Sequence, residues 1–183
     1  MTRRAIIVID IQNDYFPDGR WPLAGVEAAA DNAARVIATG RDAGDLVVHV
    51  RHEFEGDDAP FFVPGSAGSE IHPKVAGLPG EPVVLKNHVN AFRGTGLKDL
   101  LDGNGVGEVV IVGSMSHMCV DAAARAAHDF GYDVTVVHDA CATHDQEFGG
   151  ARVPAVKVHA AFMAALGFGY ATMVSTDEFT AAD

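Results

Sequence analysis

Three side chains with complementary chemistry follow short apolar runs of the sequence: Asp10, Lys86 and Cys119. Together they supply a carboxylate that can act as a base, a cation, and a thiol that can act as a nucleophile. Each apolar run has the length and composition of a buried strand. In sheets of parallel strands, ligands bind beyond the carboxyl ends of the strands. We therefore expect the three side chains to converge at one edge of a sheet, although they are far apart in the sequence.

Cys119 has the strongest physical argument of the three. It lies between a predicted strand and a predicted helix, and the small residues Gly113 to Ser116 allow a tight turn before it. A helix N-terminus and a nearby ammonium both lower the pKa of a thiol from its usual value of about 8.5. The unpaired N–H groups at such a helix N-terminus can also stabilise an oxyanion. The alternative is a buried cysteine that acts only as a small hydrophobe, and the position of Cys119 favours the nucleophile.

Asp10 and Lys86 each have a simpler explanation as well. An aspartate at a strand end often caps a turn, and most lysines are exposed to solvent. However, Asp10 interrupts an otherwise continuous apolar run. A buried carboxylate needs a cation or hydrogen-bond donors, and Lys86 is a candidate for that cation.

The elements that must position these residues alternate along the chain. Strands are predicted at 5–9, 46–50, 83–85, 109–112, 134–137 and 171–174, and helices at 26–41, 97–101, 118–130 and 153–166. This alternation indicates an α/β fold, a doubly wound six-stranded parallel sheet in a single domain over residues 1–183. Prolines and glycines interrupt every pattern between residues 53 and 80, and a loop of that length usually forms a site wall or lid.

The composition excludes several classes of partner. The 183 residues are 48% hydrophobic and 21% charged, with a formal net charge of −12. This acidic balance disfavours nucleic acid and anionic membranes, so we expect a small-molecule substrate. The N-terminal apolar run is only five residues long before Asp10, too short for a signal peptide. The apolar stretch at 160–174 is too short to span a bilayer. With only two cysteines, we expect a soluble cytoplasmic protein.

The motifs around these residues resemble those of a known family. The segments DIQNDYF at 10–16 and GSMSHMCV at 113–120, with Lys86 between them, are similar to the motifs of the isochorismatase-like cysteine hydrolases. PGS at 64–66 and EIHP at 70–73 fit the same order. The family includes nicotinamidases, N-carbamoylsarcosine amidase, ureidoacrylate amidohydrolases and isochorismatase. The resemblance extends from about residue 4 to residue 176.

The resemblance implies a fold and a mechanism. The fold would be a three-layer α/β/α sandwich with helices on both faces of the sheet. Cys119 would be the nucleophile, Asp10 the general base and acid, and Lys86 the cation that lowers the thiol pKa. A cis peptide between Ser114 and Met115 would direct the backbone N–H groups of Met115 and Cys119 into an oxyanion hole. Isochorismatase cleaves a vinyl ether without needing the cysteine, so Cys119 favours hydrolysis of a C–N bond through a thioester.

Metal binding departs from the pattern of one branch of the family. Nicotinamidases bind a divalent metal through an Asp-x-His pair after the second strand, whereas this chain has Arg51-His52-Glu53 there. His52, His72 and His88 lack the close spacing of a metal site. We therefore predict that the protein uses no catalytic metal and no other cofactor.

Substrate contacts are assigned to side chains near the same edge of the sheet. These are Phe16, His88, Asn90 and His117. Core packing or a subunit interface is an equal explanation for the neighbouring aromatic residues Trp21, Phe61, Phe62 and Phe92. Members of the family commonly oligomerise, and the resemblance therefore implies a homo-oligomer that uses the helix at 153–166.

Two other classes of function remain open from the sequence. The first is a thiol redox protein, in which Cys141 resolves an oxidised Cys119; the second is a binding homologue without catalysis. Redox chemistry needs neither a proton-transferring carboxylate nor an oxyanion site, so Asp10 and Lys86 favour the hydrolase. We interpret Cys141 as a packing residue.

Overall fold

The computed structural model describes residues 3–56 and 58–182. Met1, Thr2, Asp57 and Asp183 lie outside the described residues, and so do the two ends of the predicted domain at 1–183. The strands are β1 Arg3–Ile9, β2 Leu46–His52, β3 Val83–Lys86, β4 Val106–Ser114, β5 Asp133–Ala142, β6 Gln146–Phe148, β7 Ala151–Val153 and β8 Thr172–Val174. The helices are α1 Val26–Ala43, α2 Leu97–Gly103, α3 Asp121–Asp129, α4 Ala155–Gly169 and α5 Thr176–Ala182.

Six of the strands form one parallel sheet in the order β3-β2-β1-β4-β5-β8. β2 and β3 are added in turn on one side of β1, and β4, β5 and β8 are added in turn on its other side. The strand order therefore reverses between β1 and β4. Residues 5–9 of β1 are all buried, as expected for a central strand that is covered on both faces. The predicted six-stranded, doubly wound α/β sheet is therefore confirmed.

Two hydrophobic layers cover the two faces of the sheet. Ile6 and Val8 of β1 pack with residues of α1 and α5, whereas Ala5 and Ile7 pack with residues of α2, α3 and α4. Successive side chains of a strand point to opposite faces, which is why one continuous apolar run supplies both layers. The arrangement is a three-layer α/β/α sandwich.

The C-terminal third of the chain differs from its prediction. The helix that was predicted to begin at Val153 begins at Ala155, because residues 151–153 pair with residues 146–148 as an antiparallel hairpin. This hairpin and α5 were not predicted, since their segments QEF, ARV and TDEFTAA carry charged residues and only one large apolar residue each. Among the helices of the described residues, none is both long and apolar enough to cross a membrane.

The long connection between β2 and β3 is held against the carboxyl edge of the sheet. It contains two short 3-10 turns, Ala67–Ser69 and Pro73–Val75. The His72 N–H donates to the Ile11 carbonyl at 2.9 Å, so the connection is hydrogen-bonded to the segment that follows β1. As predicted for a long loop, it forms a wall at the edge where the candidate residues lie.

Candidate active site

The backbone near the end of β4 approaches β1 closely at Gly113. This glycine has φ +127°, and a Cβ there would lie 1.9 Å from the Ile9 carbonyl oxygen. Only glycine can occupy that position without moving the backbone. The Ser114–Met115 peptide bond that follows is cis. The chain then forms a π-helical turn, Ser116–Val120, which carries Cys119 and continues into α3.

Asp10 lies where the chain leaves the sheet after β1. Its φ is +49°, a left-handed conformation that aspartate adopts more readily than most residues. Its N–H donates to the Val50 carbonyl of β2 at 3.0 Å, so the backbone is still attached to the sheet. The side chain is fully buried. The turn at Asp10 therefore aims a carboxylate into the space beyond the strand ends.

The structure brings Asp10, Lys86 and Cys119 together around the Lys86 ammonium. Lys86 Nζ lies 2.8 Å from Asp10 Oδ2 and 3.3 Å from Cys119 Sγ, and it also donates to the His88 carbonyl at 3.1 Å. Neither Asp10 oxygen makes a well-aligned hydrogen bond with a described residue, so the 2.8 Å contact is an ion pair. Lys86 is the last residue of β3, rather than the residue after it.

His52 also belongs to this cluster. It is the last residue of β2, and its Nδ1 lies 2.8 Å from Lys86 Nζ and 4.0 Å from Asp10 Oδ2. Four neighbouring strands thus contribute one residue each: Lys86 from β3, His52 from β2, Asp10 after β1, and Cys119 after β4. The sequence alone predicts no role at the site for His52. Its position at the end of a strand was the signal that could have identified it.

Burial and charge set the protonation of the cluster. Burial lowers the pKa of the Lys86 ammonium, but the Asp10 carboxylate and the contact with Cys119 offset this effect and raise it above its usual value. Burial and the Asp10 carboxylate raise the pKa of the Cys119 thiol, although Lys86 acts in the opposite direction. Lys86 therefore lowers the thiol pKa as expected, but burial and Asp10 outweigh it in this closed site, where Cys119 is only 3% exposed.

One group of donors in the described residues has the composition of a metal site. One atom each from Asp10, His52 and Cys119 lies within 4.8 Å of the others, and this combination of side chains would suit zinc. However, Lys86 Nζ lies within 3.3 Å of a donor atom of all three. A divalent cation there would be repelled by the ammonium at close range. The residues therefore do not fit a metal while Lys86 is charged, and the expected independence of metal stays a prediction.

Two of the residues predicted to contact substrate, His88 and Phe16, are placed differently with respect to the cluster. His88 is exposed, and it reaches the cluster through its backbone carbonyl, which accepts from Lys86. The Phe16 ring is buried and stacks on the His72 ring with a centroid distance of 3.6 Å. Phe16 thus packs against the long loop, which gives its ring a structural role.

The other two predicted contacts make local hydrogen bonds. Asn90 Oδ1 accepts the Phe92 N–H at 3.0 Å, which stabilises the turn after β3. His117 Nδ1 lies 2.6 Å from Thr143 Oγ1, and its ring contacts Phe162 at 5.9 Å between centroids. His117 is half-buried and only two residues from Cys119. Its assignment to substrate remains a prediction.

Aromatic side chains cover the His52 side of the cluster. The His52 ring lies 4.6 Å from the Phe54 ring, and Phe54 contacts Phe61 at 5.0 Å. Phe61 in turn packs on Trp21 at 4.9 Å, and Trp21 is partly exposed. The rings form a wall from the buried cluster to the surface. Phe92 is not part of this wall.

A doubly wound sheet with a buried thiol, carboxylate and ammonium at its switch point defines an α/β enzyme of the hydrolase class. Comparison with known proteins agrees. Residues 4–177 match the family model of the Isochorismatase domain. The chain belongs to the isochorismatase family.

Relatives of known name and structure support the same conclusion. The uncharacterized isochorismatase family protein YddQ of Bacillus subtilis is 48% identical over 175 residues, which cover 96% of this chain and 97% of YddQ. A maleamate amidohydrolase of Pseudomonas putida is 32% identical over 152 residues, 74% of this chain and 70% of that enzyme. The crystal structure of an isochorismatase-family protein from Oleispira antarctica is 55% identical, with a TM-score of 0.95 and coverage of 98% and 97%. The protein is an isochorismatase-family hydrolase whose relatives include amidohydrolases.

Proposed function

We propose that the protein hydrolyses a C–N bond of a small amide, carbamoyl or ureido compound through a thioester on Cys119. The observation that carries the proposal is the position of Lys86 Nζ, 2.8 Å from Asp10 Oδ2 and 3.3 Å from Cys119 Sγ in a buried site. The existence of an amidohydrolase relative supports the choice of bond.

The first step is proton transfer from the thiol to Asp10. Because the pKa of the Cys119 thiol is raised, the sulfur is protonated at rest and Asp10 carries the charge that balances Lys86. As the sulfur attacks the substrate carbonyl carbon, its proton moves to the Asp10 carboxylate. Negative charge thus leaves Asp10 while it develops on the sulfur and then on the substrate. The buried ammonium is accompanied by one negative charge throughout, which avoids an unpaired buried ion.

The second step forms and breaks the tetrahedral intermediate. The carbonyl oxygen becomes an oxyanion, which the backbone N–H groups of Met115, just before the π-helical turn, and Cys119, within it, stabilise. The C–N bond then breaks, and Asp10 returns its proton to the leaving nitrogen. Ammonia or an amine departs, and the acyl group remains on Cys119 as a thioester.

The third step releases the acid. Asp10, again a carboxylate, takes a proton from a water molecule, whose oxygen attacks the thioester carbon. The C–S bond breaks, and the proton held by Asp10 returns to the sulfur. The products are the acid and the original thiol, so the site is regenerated without an external reagent.

The test is release of ammonia from a panel of small amides, carbamoyl compounds and ureas, followed by acid quenching and intact-mass analysis on the best substrate. We expect an acyl adduct on Cys119 and a loss of about 10⁴-fold or more in kcat for Cys119→Ala. Cys141→Ala is the matched control, because Cys141 Sγ contacts the Val137 carbonyl and not the cluster. Its kcat should stay within about twofold.

Other outcomes would contradict the proposal. Full activity of Cys119→Ala would exclude the thioester. Turnover of a vinyl ether that survives Cys119→Ala would favour the isochorismatase reaction. A peroxide-induced disulfide between Cys119 and Cys141, without hydrolysis of any compound in the panel, would favour the redox alternative.

We also propose that copies of the chain associate through the outer face of α4 and the β6–β7 hairpin. Phe148 of the hairpin and Val156 and Phe168 near the two ends of α4 are 89%, 70% and 95% exposed, a high exposure for large apolar side chains. Phe168→Asp should reduce the mass measured by light scattering, whereas the control Leu78→Asp, on an exposed residue of the long loop, should not. An identical mass for both variants would contradict this interface.

Two further expectations complete the proposal. Both cysteines are free thiols, which suits a reducing compartment, and we propose a cytoplasmic location. Residues 1–183 would form one hydrolase domain acting on a small molecule. Fractionation of the cell and limited proteolysis of the purified chain test these two points.

A further inference from the structure

His52 and Lys86 are direct neighbours in the register of β2 and β3. His52 is 4% exposed, and its Nδ1 lies 2.8 Å from Lys86 Nζ. The ammonium has three N–H bonds, and three hydrogen-bond acceptors surround it: His52 Nδ1, the His88 carbonyl and Cys119 Sγ. Asp10 Oδ2 adds an ion pair. Because the acceptors equal the donors in number, removal of one leaves an N–H without a partner, and the ammonium is then held less firmly in its present direction.

Gln12 fixes the backbone of His52. The Gln12 side chain donates to the His52 carbonyl at 2.8 Å and accepts the His52 N–H at 2.8 Å. It also donates to the Ser69 carbonyl of the long loop at 2.7 Å, and it is fully buried. The pairing between β1 and β2 ends at Ile9, because the chain turns away at the next residue. The Gln12 amide therefore takes the place of a strand partner for the last residue of β2.

The contact with Lys86 also sets the protonation of the His52 ring. Since the Lys86 ammonium donates to Nδ1, the ring proton is on Nε2, which has no hydrogen-bond partner among the described residues. Burial and the charge of Lys86 lower the pKa of His52 to about 4. Asp10 opposes this effect, and His88 adds to it. The ring is thus a neutral acceptor at physiological pH.

We propose that Gln12 and His52 form a positioning unit, which holds the Lys86 ammonium between Asp10 and Cys119. The proposal rests on the proposed cysteine hydrolase function. Neither residue touches the reacting atoms in this role. The unit orders the ammonium before substrate binds, so that the thiolate forms next to a cation already in place.

Two variants of His52 separate positioning from packing. His52→Leu removes the acceptor but keeps an apolar side chain of similar size, whereas His52→Asn retains an oxygen near the position of Nδ1. We expect kcat to fall about 10- to 100-fold in His52→Leu, with KM within about twofold. His52→Asn should recover most of this loss. Urea unfolding of both variants shows whether a change in kcat results from a change in stability instead.

A second measurement does not depend on the substrate. The rate of Cys119 alkylation by iodoacetamide follows the thiolate fraction, and it is measured against pH in a Cys141→Ala background. His52→Leu should slow alkylation about tenfold at neutral pH, because the ammonium no longer stabilises the thiolate as well. Nitrogen-15 NMR of the native chain should show the His52 ring neutral above pH 5 with its proton on Nε2. The NMR measurement needs neither variant to retain activity.

The outcomes are distinct for the two proposals. Loss of activity in Cys119→Ala, with unchanged kcat and alkylation in His52→Leu, would overturn the positioning role but not the hydrolase. An increase in KM without a change in kcat would also overturn it, since His52 would then contact the substrate. A proton on Nδ1 in the NMR spectrum would exclude the contact with Lys86. Activity of Cys119→Ala would instead contradict the proposed function itself.

Discussion

Replacing Asp10 by asparagine removes the negative partner of a buried ammonium while changing the shape of the side chain very little. Lys86 and Asp10 are both fully buried at the side chain and 2.8 Å apart. The loss of one partner of a buried ion pair costs about 3–5 kcal/mol, because the other charge remains in a nonpolar environment. Cys119 could replace the lost charge by ionising. Asp10→Asn is therefore compared with its parent in proteins that both carry Cys119→Ala.

The pH dependence of stability should differ between the two proteins. In the intact site the pKa of Lys86 is above its unfolded value of about 10.4. We expect the Asp10 carboxylate to keep it there in Cys119→Ala, so that the stabilising effect of the charged Lys86 is complete below that pH and is lost only above it. Without Asp10 and Cys119, burial is the main influence, and the pKa of Lys86 falls below the unfolded value. The unfolded chain then binds more protons than the folded one, and stability rises with pH by up to about 1.4 kcal/mol per pH unit.

Urea unfolding between pH 6 and 9.5 measures this difference. We expect Asp10→Asn to lower the free energy of unfolding by about 3–5 kcal/mol at pH 6 and by clearly less at pH 9.5. The matched control is Asp14→Asn, since Asp14 is also buried but accepts from the backbone N–H groups of Phe62 and Arg20. The decrease in the free energy of unfolding that Asp14→Asn causes should be the same from pH 6 to pH 9.5. Parallel curves for Asp10→Asn and its parent would refute the argument that Lys86 is held charged by Asp10.

Two further substitutions test the backbone and an ion pair. Gly113→Ala should lower the free energy of unfolding by about 3 kcal/mol or more, because its Cβ would overlap the Ile9 carbonyl. Gly25→Ala, at φ +70° in open space, should lose only about 1 kcal/mol in the same urea assay, and equal losses would contradict the close approach. Hydrogen bonds from Arg41 lower the pKa of Glu81 to about 2, so the stability they provide is present above about pH 4.5 and is lost as the pH falls towards 2. Glu81→Gln should flatten the acid limb of the stability curve, and an unchanged limb would exclude this contribution.

The sequence was sufficient to predict the sheet and the residues at its strand ends. The continuous apolar run before Asp10 required a strand that is buried on both faces, and the alternation with helices required parallel neighbours. Once these elements were in place, Asp10, Lys86 and Cys119 had to lie at one edge. Their convergence around Lys86 Nζ follows from topology rather than from any local signal.

The protonation of the cluster could not be predicted in the same way. The thiol pKa depends on how deeply the sulfur is buried and on its distances from Asp10 and Lys86. No pattern in the sequence shows these quantities. Gln12 was part of a motif, but its hydrogen bonds to His52 depend on the turn at Asp10. The β6–β7 hairpin was missed because each of its strands contains a charged residue and only one large apolar residue.

Lys86 is carried by the edge strand of the sheet. β3 has four residues and, among the strands of the described residues, pairs only with β2; Val83 and Leu85 are about half exposed. An edge strand of this kind frays more easily than the centre of the sheet, as local opening without global unfolding. Fraying would withdraw the ammonium from the thiol while β1, β4 and β5 stay folded. On heating, catalysis should therefore fail at a lower temperature than the fold itself, and amide exchange should be fastest along β3 among the four strands that build the site.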